Sequence, residues 1–145
     1  MSAEISLSEQ TSSSSKGTIL LVDDDRFLID MYSMKFTGSG YQVHASLSAK
    51  DALEVLRGGY KADAILLDLL MPEQDGFSFL QELSTEPNAK GAALIALTNQ
   101  GNDADKVKAE QMGVDRYIVK ASMIPSEVVS AVGEEILKKK GAKPQ

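Results

Sequence analysis

The feature that most constrains this chain is a regular alternation of short apolar runs with segments of helical period. The runs occupy Thr18–Val22, Tyr41–Ala45, Ala62–Leu67, Ala92–Leu97 and Asp115–Val119. The central ones are apolar throughout, as strands covered on both faces must be. Between them, apolar residues recur at helical spacing: Phe27, Met31 and Met34; Ala49, Ala52, Leu53 and Leu56; Phe77, Leu80 and Leu83. A last segment places Ile124, Val128, Val129, Val132 and Ile136 on one helical face. Gly38 and Gly40, Gly58 and Gly59, and Gly113 mark helix ends, and Ser48, Asp75 and Asn102 are placed to cap helix starts. Five strands alternating with five helices predict an α/β protein, a doubly wound five-stranded parallel sheet with helices on both faces. In such sheets the functional crevice lies at the carboxyl ends of the strands.

Chemistry should therefore stand just after each apolar run. Asp23, Asp24 and Asp25 follow the first, Asp68 the third, Thr98 the fourth and Lys120 the fifth. Each has an ordinary reading taken singly: a turn aspartate, a packed threonine, a surface lysine. Together they place a matching residue at four separate strand ends. Carboxylates a few Å apart repel by several kcal/mol, on the order of the Coulomb term at an effective dielectric of 20. A divalent cation or a lysine relieves that repulsion. Oxygen ligands without His or Cys select a hard ion, Mg²⁺ above all. A cation, an ammonium and a hydroxyl are the parts that stabilise a transferring phosphoryl group, and Asp68 is placed to attack phosphorus.

Composition narrows the class. The 145 residues suit one domain with short tails. Residues 1–16 are rich in Ser, Glu and Thr and predict a disordered tail; 17–138 form the domain; 139–145 form a basic tail. No apolar run reaches membrane-spanning length, no secretory leader is recognisable, and the chain has no cysteine. These features fit a cytoplasmic protein. The net charge is −6, and the last eight residues hold four lysines, so the preceding body carries about −10. Such a surface argues against direct nucleic-acid binding.

Around these residues the sequence resembles the receiver domains of two-component response regulators. The resemblance rests on ILLVDDD at Ile19–Asp25, AILLDLLMPEQDGFSFL at Ala64–Leu80, LIALT ending at Thr98 and RYIVK ending at Lys120. Asp68 lies 44 residues after Asp24, Thr98 lies 30 after Asp68, and Lys120 lies 22 after Thr98; these intervals are typical of that family. The resemblance implies a flavodoxin-like (βα)5 fold, of the chemotaxis-regulator type, in a bacterial phosphorelay. It makes Asp68 the phosphoacceptor. Asp24 would bind Mg²⁺ directly, Asp23 through water, and Asp68 and the backbone carbonyl of Leu70 would complete the set. Thr98 and Lys120 would hold phosphoryl oxygens. Tyr117 would be the switch aromatic, turning inward as Thr98 moves, and so remodelling the face of the fourth helix, fifth strand and fifth helix. The donor would be a sensor histidine kinase or a histidine phosphotransfer protein. Output would pass through an unknown partner or onward in a relay, from a monomer or a phosphorylation-dependent dimer. The protein would be no ordinary enzyme, although it would catalyse its own phosphorylation and dephosphorylation.

Three positions depart from the family pattern. Ala121 stands where proline usually follows the lysine, which predicts a trans bond at Lys120–Ala121. Asn99 is larger than the usual neighbour of Thr98, and Leu70 is apolar where many relatives are polar. Both would tune access of water to the phosphorylated aspartate, and they predict slow autodephosphorylation. Two rivals compete with this reading. A haloacid-dehalogenase-type phosphatase would use Asp23 as nucleophile and Asp25 as acid/base, but residues 121–145 hold no Asp for its last acidic motif. A receiver-like binding module that is never phosphorylated would not need the acidic set. Asp25 reads as a helix cap before a metal ligand, and His44, the only histidine, as an edge residue.

Overall fold

The computed structural model describes residues 15–71, 75–99 and 101–141. Most of the two predicted tails, residues 1–14 and 142–145, lies outside the described residues, as does Pro72 of the Met-Pro pair. Five strands, β1 (Thr18–Val22), β2 (Gln42–Ser46), β3 (Ala64–Leu67), β4 (Ala93–Thr98) and β5 (Arg116–Val119), form one sheet in the order β2-β1-β3-β4-β5. Every pairing is parallel. Five helices connect and close it: α1 (Arg26–Gly38), α2 (Ala49–Arg57), α3 (Gly76–Leu83), α4 (Asp103–Gln111) and α5 (Pro125–Lys139). Single 3₁₀ turns occupy Pro87–Ala89 and Lys120–Ser122. This is the predicted doubly wound, flavodoxin-like architecture.

Alternation along the strands splits the core in two. Leu20, Val22, Ile65, Leu67 and Ala96 face α2, α3 and α4, whereas Ile19, Leu21, Leu66, Ile95, Leu97 and Ile118 face α1 and α5. Burying each of these Leu, Ile and Val side chains contributes roughly 1.5–3 kcal/mol, which offsets the entropy of ordering the strands. The caps hold as expected. Ser48 accepts from Asp51 N–H, Asp75 from Ser78 N–H, and Asn102 from the amides of Ala104 and Asp105. Asp25 caps α1 through the amides of Phe27 and Leu28.

Two expectations need correction. The stripe Phe27, Met31 and Met34 is not the buried face of α1: Phe27 and Met34 are 76% and 75% exposed. The residues that pack inward are Ile29, Tyr32 and Phe36. Both stripes have helical period, so spacing alone does not choose between them. On α5, Ile124 is the N-cap and stands exposed, while Val128, Val129, Val132 and Ile136 are buried. The chain has not yet entered the helix at Ile124, and its N–H is taken by the Glu127 carboxylate at 3.0 Å. No described helix is long and apolar enough to cross a membrane. The described residues contain no cis peptide bond, and Lys120–Ala121 is trans.

Candidate functional site

The register of the sheet builds the site. Val22 pairs with Leu67, so the next residues, Asp23 and Asp68, leave the sheet side by side. Thr98 pairs with Val119, so Lys120 leaves β5 beside the end of β4. Residues far apart in sequence thus meet at one rim, where the connections diverge to opposite sides of the sheet. Asp23, Asp68 and Thr98 are buried, at 8%, 5% and 2% exposure, whereas Asp24 is exposed.

Carboxylate oxygens of Asp23, Asp24 and Asp68 all lie within 4.8 Å of one another. The Lys120 ammonium reaches over them, 2.9 Å from Asp23 Oδ2 and 3.4 Å from Asp68 Oδ2. The other oxygens are fixed by backbone. Asp23 Oδ1 accepts from Asp25 N–H at 2.9 Å, and Asp68 Oδ1 from Leu70 N–H at 2.9 Å. Burial pushes the Asp23 carboxyl above the usual aspartate range, although the Asp25 amide and Lys120 oppose it. Burial alone would lower Lys120, but its two carboxylate partners outweigh that and hold it above its ordinary value. Three oxygen donors converging from two strand ends, with no nitrogen or sulfur ligand, fit a hard divalent cation.

The remaining predicted residues surround this centre. Thr98 lies beneath the rim, fully covered. Leu70 is 54% exposed and Asn99 is exposed, so both stand at the mouth. Tyr117 is half-buried; burial raises the pKa of its hydroxyl, and the Asn102 backbone at the start of α4 opposes that. Asp25 serves as the α1 cap. His44 sits exposed on the edge strand, its ring 5.4 Å from that of Tyr60.

Two neighbours of the site carried no role in the sequence reading. Tyr32, on the inner face of α1, lines a small cavity beneath Asp23 and Asp68. Gly76 presses on the backbone after Asp68: a Cβ there would stand 2.5 Å from Leu69 Cα and 2.9 Å from the Asp68 carbonyl oxygen. The Asp-Gly pair at residues 75 and 76 was the available signal for Gly76. Nothing in the spacing pointed to Tyr32, because the competing stripe on α1 is more apolar.

Comparison with known proteins agrees with this geometry. A family model, the response regulator receiver domain, matches residues 19–132. A probable cyclic di-GMP phosphodiesterase of Vibrio cholerae is 33% identical over 111 residues, covering 77% of this chain and 25% of that protein. The DNA-binding dual master transcriptional regulator RpaA of Synechocystis is 30% identical, covering 70% of this chain and 42% of the regulator. This chain thus spans about a quarter to two-fifths of these relatives' length. Among solved structures, a putative response regulator from Chloroflexus aurantiacus superposes with a TM-score of 0.74 at 29% identity, covering 83% of this chain and 97% of that one. A CheY-like receiver from Methanospirillum hungatei shares the fold, with a TM-score of 0.76 at 22% identity over 86% of this chain and 96% of that one. With an acidic cluster, a lysine and a threonine gathered at the sheet's carboxyl edge, and a family match over most of its length, this chain belongs to the response regulator receiver domain family.

Proposed function

We propose that this receiver accepts a phosphoryl group on Asp68 from a phosphohistidine and acts as a switch in a cytoplasmic phosphorelay. The observation that carries the reading is the placement of Lys120 between Asp23 and Asp68 beside a three-carboxylate cluster. Asp23, Asp24 and Asp68, with the Leu70 carbonyl, would hold Mg²⁺. When bound, the cation supplies charge that offsets repulsion between the carboxylates and the incoming phosphoryl group. An Asp68 oxygen attacks phosphorus, the phosphorus–nitrogen bond of the donor breaks, and the imidazole leaves with the electron pair. Lys120 then exchanges a carboxylate for a phosphoryl oxygen, and Thr98 holds another through its hydroxyl.

The reaction remodels a neighbouring surface. As Thr98 is drawn to the new anion, Tyr117 turns inward. That repacks the face of α4, β5 and α5, a population shift biased by one charged group. The exposed Phe27 and Met34, on the helix that starts directly after Asp25, offer an apolar footing for the histidine-bearing donor. Exposed Leu70 and Asn99 slow hydrolysis by covering the acyl phosphate. A decay of labelled aspartyl phosphate complete within seconds would count against that last point.

The test is phosphorylation by a small acyl phosphate, read by mass for wild type and Asp68→Asn, with and without Mg²⁺. A single Mg²⁺-dependent adduct, absent from Asp68→Asn, is the expected result. An adduct that survives the substitution would place the phosphate elsewhere. Turnover of a simple phosphate ester would favour the phosphatase alternative.

A further inference from the structure

Tyr32 is 5% exposed and packs with Ile29, Leu66 and Leu97 on the α1 side of the sheet. It lines a cavity of about 10 Å³ whose walls also include Asp23 and Asp68. Among the described residues its hydroxyl makes no hydrogen bond to protein, and it is not fully sealed from solvent. Burial raises the pKa of that hydroxyl, the Lys120 ammonium lowers it and the Asp23 carboxylate raises it. A cavity of this size holds one water, and three polar side chains on its wall meet the requirement for an ordered one.

We propose that Tyr32 is a positioning residue: through a water in this cavity, its hydroxyl braces the Asp23–Lys120 contact from beneath and so governs how readily a divalent cation takes Asp23. The inference deepens the reading above and rests on Mg²⁺ binding by the acidic cluster. A cation must recruit Asp23 from Lys120, whose ammonium is 2.9 Å away. Anything that strengthens that pair lowers the fraction of molecules with Asp23 free to ligate, and apparent cation affinity falls in proportion. Tyr32 therefore opposes Mg²⁺ binding, although it stands beside the ligands. A purely structural tyrosine would do the reverse, because loosening a metal site weakens it.

The experiment is a calorimetric Mg²⁺ titration of the full chain without phosphodonor, for wild type, Tyr32→Phe, Lys120→Met and the double variant. Tyr32→Phe keeps the ring that fills the cluster, and its melting curve checks the fold. Losing one water-mediated hydrogen bond should tighten Mg²⁺ binding about two- to tenfold. In the Lys120→Met background the same substitution should change nothing, because the pair it braces is gone. Unchanged or weaker binding by Tyr32→Phe overturns the inference, as does an equal gain in both backgrounds. Wild type that binds no Mg²⁺ overturns the proposed cation site itself, and this inference with it.

Discussion

Replacing Gly76 by alanine sets two physical arguments against each other. Gly76 is the first residue of α3, directly after the Asp75 cap, and its backbone is not in the left-handed region. By helix propensity alone, alanine there should stabilise by up to about 1 kcal/mol. The packing says otherwise. The added methyl would stand 2.5 Å from Leu69 Cα, 2.8 Å from Leu69 Cδ2 and 2.9 Å from the Asp68 carbonyl oxygen. Two of those atoms are backbone, held by the Gly76 N–H to Leu69 carbonyl hydrogen bond at 2.9 Å. Relief requires the segment carrying Asp68 to move by about 1 Å to restore ordinary van der Waals separation. Overpacking of this kind costs roughly 1–3 kcal/mol and often more where backbone must shift. The net expectation is a loss of about 2 kcal/mol, or a fall of some 4–8 °C in melting temperature for a domain of this size. Because the displaced segment carries Asp68, the proposed acceptor, its phosphorylation should slow as well. Urea and thermal unfolding by circular dichroism measure the first effect, and the acyl phosphate assay the second. Gly38→Ala is the control: no neighbour lies within 4 Å of its added methyl, so that change should be neutral or stabilising. A Gly76→Ala protein as stable as wild type would refute the packing argument.

Other substitutions probe the charges and the cap. Lys120→Met leaves two buried carboxylates facing each other and should cost about 3 kcal/mol in metal-free buffer, with part recovered on adding Mg²⁺; wild-type stability in chelator would contradict this. Protonating Asp23 removes a proposed cation ligand, and its pKa is raised above 3.8, so Mg²⁺ affinity should start to fall at a higher pH than an ordinary aspartate dictates. In the metal-free protein the same raised pKa works against folding. Its cost is absent below pH 3.8 and grows as pH rises through the folded value, which acid titration of stability would detect. For Lys120, raised above 10.5, the stabilising contribution is complete below that pH and is lost as pH climbs through the folded value. Asp25→Ala should cost about 1 kcal/mol through the lost α1 cap while leaving Mg²⁺ affinity near wild type; a large loss of affinity would instead make Asp25 a ligand.

Legibility differed between elements for physical reasons. Strands β1, β3 and β4 are covered on both faces, and their continuous apolar runs were readable to within two residues. The edge strand β2 lies one residue later than its run suggested. Its exposed Gln42, His44 and Ala45 face no partner that would demand apolar character. The strand-end acids, Thr98 and Lys120 were identifiable because parallel topology sends every carboxyl end to one rim. The roles of Gly76 and Tyr32 were not, since each depends on a contact between segments distant in sequence.

What the amino-acid sequence determined by itself was the alternation of elements, the caps, the class of fold and the set of polar residues at the rim. Period, capping chemistry and burial on two faces are local properties, carried by neighbours along the chain. Only the tertiary structure decided which stripe of α1 turns inward, that Lys120 lies closer to Asp23 than to Asp68, and that a tyrosine stands beneath both. Those outcomes follow from how α1 lies on the sheet and how β1, β3 and β5 register. Such distances arise between elements and have no counterpart in sequence spacing.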